Sequence, residues 1–234
     1  MAVSNRPLDS SDNWRHCEKD GRVDTSLRVG TRAMPWDEAR SFVTAYTAIG
    51  SEYAYPAYDG YPGSGSESLN GADLLAPILL NVRHISIRTY NALLDCLDEL
   101  DRRLADLRDV PPLHKADTAT IEALADLFGI LDRRELPGVR LTVLSKDLHR
   151  KRPDLIPLYD QNIKRCYLGG TDPRIETVKG RSWTDFARSW IPEVQVDLKT
   201  QLPAWVALAE LAPGPTPVTP LRTLDMIGWR LGAE

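Results

Sequence analysis

The residues best suited to chemistry lie in one segment, residues 136–165, which reads LPGVRLTVLSKDLHRKRPDLIPLYDQNIKR. Gly138 permits a left-handed turn, and the amides that follow it lie at a predicted helix N-terminus, where they favour a phosphate group. Asp160 comes 22 residues later, at the predicted start of another helix. An aspartate there is either an active carboxylate or a helix N-cap, and one residue can fill both roles.

The same segment is basic although the chain is acidic. Residues 140–165 hold seven Lys or Arg against three Asp, a local charge of +4, whereas the chain has a formal net charge of −4. A basic region on an acidic protein directs a phosphate backbone to one face. The residues predicted to contact nucleic acid or another phosphate-bearing ligand are Gly138, Arg140, Thr142, Arg150, Lys151, Arg152, Lys164 and Arg165.

Some of these basic side chains have an alternative role. Arg150, Lys151 and Arg152 also fit a solvated turn that caps the preceding helix. Lys146 fits a structural or phosphate-contacting lysine as well as a nucleophile. His149 fits a helix end as well as a proton-transfer group.

Other classes of site are excluded by their missing motifs. The three cysteines and four histidines do not have metal-ligand or iron–sulfur spacing, so we expect no metal and no cofactor. The chain has no GxxxxGK[ST], GxGxxG or GxSxG motif. It also has no apolar run of about 18 residues and no apolar N-terminal core, which predicts a cytoplasmic protein without a membrane span.

The 234 residues read as helical. Apolar residues recur at steps of three and four, Ser86 and Ser182 are predicted N-caps, and Pro192 is predicted to end a helix. No convincing alternating run occurs. The sequence therefore predicts an all-α protein of about 8–11 helices, with a flexible polar arm over residues 1–34 and a single compact domain over residues 35–234.

Aromatic residues lie in two kinds of context. The loop at residues 51–68 contains Tyr53, Tyr55, Tyr58 and Tyr61. These rings fit either a stacking surface for flipped bases or a cover over the core. The tryptophans in apolar surroundings, including Trp229, are predicted to be core residues.

The segment resembles the helix-hairpin-helix DNA glycosylase superfamily of the endonuclease III type. Leu136-Pro137-Gly138-Val139 matches the LPGVG hairpin, and residues 157–165 match the P-x-x-D-x-x-[IV]-x-R stretch that follows it in that family. The resemblance implies a helical bundle of two packed lobes in which the hairpin holds the DNA backbone. It also implies that Asp160 stabilises charge on the sugar or activates a water as the base leaves.

Two positions differ from that family. The second hairpin glycine is Arg140, and the lysine of bifunctional glycosylases falls on Thr142. A Schiff-base lyase step is therefore not expected at residue 142. Lys146 lies one helical turn further along the same face and is the candidate substitute, so the predicted catalytic residues are Asp160 and Lys146.

A longer resemblance is to DUF6308, a family of actinobacterial proteins. Three blocks carry it, at residues 69–76, 145–160 and 221–229. This resemblance supports the fold and implies no reaction. The function expected from the residues and the glycosylase resemblance is hydrolysis of an N-glycosidic bond in nucleic acid without a lyase step. The alternatives are an inactive nucleic-acid-binding module and an enzyme or partner-binding protein for a small anionic ligand.

Overall fold

The computed structural model describes residues 18–19, 22–23, 26–63, 68–82, 85–133 and 136–234. These residues are mostly helical, and two short antiparallel strand pairs are described before the first helix. β1 (Glu18–Lys19) pairs with β2 (Arg22–Val23), and β3 (Ser26–Val29) pairs with β4 (Arg32–Pro35). The strict all-α prediction is corrected by these strands. They are at most four residues long, too short for alternation to stand out in the sequence.

The β3–β4 hairpin belongs to the folded body. Leu27, Val29 and Met34 are buried, and in the Gly30–Thr31 turn Thr31 N donates a hydrogen bond to the carbonyl oxygen of Cys166 at 2.8 Å. Residues 26–34 are thus packed, although the sequence placed them in a flexible arm. The rest of that predicted arm lies largely outside the described residues, and its flexibility stays a prediction.

Nine α-helices and three 3₁₀ segments follow in the described residues. The α-helices are α1 (Trp36–Thr47), α2 (Ile87–Leu94), α3 (Leu97–Ala105), α4 (Thr118–Phe128), α5 (Leu141–His149), α6 (Gln161–Leu168), α7 (Trp183–Thr200), α8 (Leu202–Ala209) and α9 (Pro220–Ala233). The 3₁₀ segments are Asp73–Leu80, Leu113–Lys115 and Gly129–Asp132.

Local signals account for several helix boundaries. Ser86 caps α2 and Ser182 caps α7, each accepting a hydrogen bond from a backbone amide three residues on. The prediction that Pro192 ends a helix is wrong, because α7 continues through it to Thr200. The carbonyl that loses its amide partner belongs to Arg188, which is exposed, so water can bond it.

Three helix pairs pack closely in the described part of the chain. α4 packs on α7, and α9 packs on both α6 and α8. A continuous cluster of buried apolar side chains runs from β3 to α9 and includes Phe128, Trp190 and Trp205. The division into two lobes stays a prediction. Because α9 lies against α6, its polar residues come close to the start of α6, where Asp160 is placed.

Candidate functional site

The predicted hairpin is a tight turn that leads into α5. Gly138 has a φ of +82°, and Val139 N donates to the carbonyl oxygen of Leu136 at 3.4 Å. A Cβ atom at position 138 would lie 2.9 Å from Thr89 Oγ1, so glycine serves both the left-handed backbone and the close approach of α2. Gly138 and Arg140 are exposed on this turn.

Asp160 is the N-cap of α6 and also faces a lysine. Its Oδ1 accepts hydrogen bonds from Asn162 N at 2.9 Å and Ile163 N at 3.0 Å. Its Oδ2 lies 3.9 Å from Lys146 Nζ on α5. The two roles left open by the sequence are therefore divided between the two oxygens. The cap holds the carboxylate in place while the other oxygen points to a charged partner.

A second contact locks α5 to the start of α6. Tyr159 N donates to Ser145 Oγ at 3.1 Å, one residue before Asp160 and one before Lys146. Tyr58 Oη donates to the carbonyl oxygen of Lys146 at 2.7 Å. Backbone bonds on both sides thus fix the relative position of the two predicted catalytic residues.

Lys146 lines a pocket of about 360 Å³. Three aromatic rings line the same pocket, and Tyr53 stacks on Tyr46 with ring centroids 4.7 Å apart and meets Trp229 edge-on at 6.4 Å. Tyr53 and Trp229 are each more than a third exposed, which places them at the opening. The full lining is Tyr46, Glu52, Tyr53, Ala54, Leu80, Asn81, Lys146, Arg222, Asp225 and Trp229.

Arg222 on α9 organises the inner wall of the pocket. It donates to Asp59 through Nε at 2.7 Å and through a terminal nitrogen at 3.3 Å, and the same nitrogen donates to Tyr46 Oη at 3.1 Å. Its other terminal nitrogen pairs with Asp225. The guanidinium is only 2% exposed, so these partners satisfy a charge that is buried.

Burial changes the acidity of two pocket residues. Removal from water raises the pKa of Asp225 to about 6, against the opposing effect of Arg222. Removal from water also lowers the pKa of Lys146, and the neighbouring Asp160 offsets part of this change. The pocket therefore combines a carboxyl group that titrates near neutrality with an amine that loses its proton more easily than a solvated lysine.

All of these pocket residues fall within the range of a sequence-family match. Residues 39–232 match a family of unknown function, DUF6308. The chain belongs to the DUF6308 family. No curated protein and no solved structure matches it.

The basic link of this DUF6308 chain is engaged inside the protein. Lys151 is 3% exposed and its Nζ lies 2.9 Å from Asp73 Oδ2, while Arg150 lies 3.4 Å from Asp73 Oδ1. Arg152 donates to the carbonyl oxygens of Arg108 at 2.8 Å and Val110 at 2.7 Å. These contacts occupy the cationic groups, so we leave Arg150, Lys151 and Arg152 out of the proposed binding surface.

The other predicted contact residues divide between two places. Arg140 and the half-buried Thr142 lie at the start of α5 beside the Gly138 turn. Lys164 is exposed and lines a separate cleft of about 170 Å³. Arg165 donates to the carbonyl oxygen of Gly232 at 2.8 Å and thereby ties α6 to α9.

His149 is placed in the core. It is 2% exposed, its Nδ1 lies 2.6 Å from the carbonyl oxygen of Ile156, and its ring stacks on Tyr58. Burial lowers its pKa to about 4, so the imidazole is neutral at pH 7. Tyr55 and Tyr58 are also buried and cover the core, whereas Tyr53 reaches the pocket.

Sequence reasoning missed the contribution of α9. Trp229 was assigned to the core but is 37% exposed at the pocket, and neither Arg222 nor Asp225 was identified. A signal existed, because Arg222 and Asp225 are three residues apart among Leu221, Leu224 and other apolar residues. Two opposite charges on a buried helix face indicate a polar site within the fold.

Neither a metal cluster nor a membrane helix is found in the described part of the chain. Within those residues, no three His, Cys, Asp or Glu side chains lie close enough together to hold a metal ion. None of the helices described there is both long enough and apolar enough to cross a bilayer.

Proposed function

We propose that this protein hydrolyses an N-glycosidic bond in DNA, with Asp160 as the catalytic carboxylate and the 360 Å³ pocket as the site for the displaced base. The observation that carries the proposal is the position of Lys146. It lines the aromatic pocket, and its Nζ lies 3.9 Å from Asp160. The reacting sugar would bind between the base in the pocket and this carboxylate.

The aromatic lining of the pocket favours a flat ligand. Enzymes that act on a base in DNA take it out of the stack and bind it against aromatic or apolar side chains. Tyr46, Tyr53 and Trp229 supply such rings, and Asn81 and Glu52 supply polar groups at the edge. A volume of about 360 Å³ is in the range of small-ligand sites.

The rigidity of Asp160 suits charge stabilisation. Loss of a base leaves positive charge on the sugar, and a carboxylate beside that carbon stabilises the charge or takes a proton from the attacking water. Because two backbone amides hold Oδ1, Oδ2 requires little reorganisation during the reaction. The net reaction adds water and leaves the free base and an abasic sugar.

The turn at Gly138 supports a nucleic-acid substrate. A 3₁₀ segment, Gly129–Asp132, precedes the turn and α5 follows it. Gly138 and Arg140 are exposed residues at the N-terminus of α5, a position that suits contact with a phosphate of the DNA backbone. We propose that this turn binds the strand while the pocket holds the displaced base.

The lowered pKa of Lys146 favours a second candidate, a lyase step through that amine. A neutral lysine can attack the sugar carbon and form a Schiff base that borohydride reduces to a stable adduct. We prefer hydrolysis because Lys146 lies beside Asp160, which favours the charged ammonium form.

The test uses the full chain and oligonucleotide duplexes that each carry one uracil, hypoxanthine or 7-methylguanine. We expect release of at least one base, and a decrease of about 10²-fold to 10⁴-fold in Asp160→Asn. Asparagine also caps helices, so Asp160→Asn should keep the cap of α6, but it removes the ion-pair partner of the buried Lys146 and should lower the thermal stability. Activities are therefore compared at a temperature at which both proteins are folded. Asp117→Asn is the matched control, because Asp117 caps α4 by accepting from Thr120 N. It should keep full activity.

Other outcomes select the alternatives. Undiminished base release by Asp160→Asn rejects the assignment of that residue. Duplex binding without release of any base identifies a binding module, and failure to bind duplexes at low salt favours a small anionic ligand. A borohydride adduct that disappears in Lys146→Gln replaces hydrolysis with the lyase route.

A further inference from the structure

The polar cluster at the pocket has more carboxylates than cations. In the described residues, the ion pairs of Lys146 and Arg222 are made by three carboxylates, namely Asp160, Asp59 and Asp225. All five side chains are less than a fifth exposed. A cluster with one surplus carboxylate in a poorly solvated place retains a proton more readily than a balanced one.

Asp225 is the carboxylate best placed to hold that proton. Asp160 has its own lysine and two backbone amides, and Asp59 receives two hydrogen bonds from Arg222. Asp225 receives a single contact from Arg222, which it shares with Asp59. It also lines the pocket, whereas Asp59 does not.

We propose that Asp225 is a second catalytic residue, which donates a proton to the departing base, and that the substrate therefore carries a neutral base rather than a cationic, alkylated one. This inference rests on the proposed function and assigns a step that Asp160 does not perform. A neutral base is a poor leaving group because, when it takes the electron pair of the broken bond, it departs as an anion unless it is protonated. A proton supplied inside the pocket removes that difficulty.

The atoms balance as follows. The bond between the sugar C1′ and the base nitrogen breaks, and its electron pair goes to the base, which takes a proton from Asp225. The oxygen of a water bonds to C1′, and the proton it loses goes to the Asp160 carboxylate. Exchange with solvent then returns a proton to Asp225 and removes one from Asp160.

The groups that face Asp225 come from several elements. Arg222 lies one turn earlier on α9, Lys146 projects from α5, Asp160 precedes α6, and Tyr46 lies on α1. Burial and the charge of Asp160 raise the pKa of Asp225, while Arg222 and Lys146 lower it, with a net value of about 6. We expect kcat/KM to fall as the pH rises above about 6, because the donor is then ionised.

The experiment compares leaving groups. Asp225→Asn should lower release of uracil or hypoxanthine by about 10²-fold or more. Its effect on 7-methylguanine should be less than about 5-fold, because that base is already positive and leaves without a proton. Asp160→Asn should lower release of both kinds of base. Equal losses for both kinds in Asp225→Asn would overturn the proton-donor role and leave the proposed function standing.

Asp59→Asn is the matched control. It makes the same chemical change at the same arginine but outside the pocket. With one carboxylate fewer, Arg222 pairs only with Asp225, so the decrease in activity with rising pH should begin at a lower pH. If Asp225 had only a structural role, Asp59→Asn would not shift the pH at which activity begins to decrease.

Titration of Asp225 itself tests the inference without an activity assay and without a variant that might fail to fold. The side-chain carboxyl carbon of Asp225 in the wild-type protein, followed by ¹³C NMR, should titrate near pH 6. A midpoint at or below about 4, the value of an ordinary aspartate, overturns the inference. Absence of any base release by the wild type rejects the proposed function and the inference with it.

Discussion

Replacement of Gly232 by alanine tests how closely α9 packs against the start of α6. A Cβ atom at position 232 would lie 2.1 Å from the carbonyl oxygen of Asn162 and 2.5 Å from its Cα. Side-chain carbons do not approach backbone atoms within 3.0 Å, so the helices must separate locally by about 1 Å. Asn162 N donates to Asp160, so that movement carries the cap and its carboxylate with it.

The expected magnitude follows from overpacking. Forcing extra atoms into a packed contact destabilises the folded protein by about 1–3 kcal/mol. The higher helix propensity of alanine stabilises it by at most about 1 kcal/mol. We expect Gly232→Ala to lower the free energy of unfolding in urea by about 1–2 kcal/mol. Because a displacement of about 1 Å at a reacting group costs about 10²-fold in rate, base release should fall by a similar factor.

Gly228→Ala provides the control on the same helix. Its Cβ would meet two side-chain carbons, Ile163 Cδ1 at 2.7 Å and Val29 Cγ1 at 3.0 Å, rather than the backbone that holds the cap of α6. This variant should remain within about 1 kcal/mol of the wild type. An unchanged urea midpoint and unchanged Asn162 and Ile163 amide NMR shifts in Gly232→Ala would refute the backbone-to-backbone packing of α6 and α9.

Four further substitutions address the surroundings of the site. Asp73→Asn should cost about 3–5 kcal/mol in urea unfolding, because it leaves Lys151 charged and buried beside a neutral group; a loss below about 1 kcal/mol would contradict the buried pairing. As the pH falls from 6.5 to 4, His149 of the unfolded wild-type chain takes up a proton, whereas the buried imidazole of the folded protein, with a pKa of about 4, stays largely neutral. The wild type therefore loses stability over this range, and His149→Gln, which has no such group, should become more stable relative to it by up to about 3 kcal/mol. A pH-independent difference in urea unfolding would show that the imidazole is solvated. Tyr53→Ala and Trp229→Ala should each weaken duplex binding by about 1–3 kcal/mol in fluorescence anisotropy, and unchanged affinity in both would remove the rings from the binding site.

Much of the helical pattern was predictable because its signals are local. Ser86 and Ser182 cap helices as expected, and the apolar spacing located most of the helices. The continuation of α7 through Pro192 was not predictable, because it depends on the solvent exposure of Arg188 in the folded protein. The β3–β4 hairpin was missed because four-residue strands carry little periodicity.

Only the part of the candidate site that lies within one short segment of the sequence was predictable. Asp160 and Lys146 lie in one segment, and the chain brings them together through a short connection. Tyr46, Tyr53 and the α9 residues lie between about 60 and 110 residues away from Asp160 in the sequence. They join the pocket only because α9 packs on α6 and α1 packs on α9.

The sequence by itself determined a mostly helical chain, its DUF6308 membership and a turn–helix segment that carries one notable aspartate. Only the tertiary structure decided which charges are available to a ligand. It buries Lys151 against Asp73 and sets Asp225 beside Arg222 in a pocket. The physical reason is that helix signals act over a few residues, whereas the energy of a charge depends on the burial and partners it receives from distant parts of the chain.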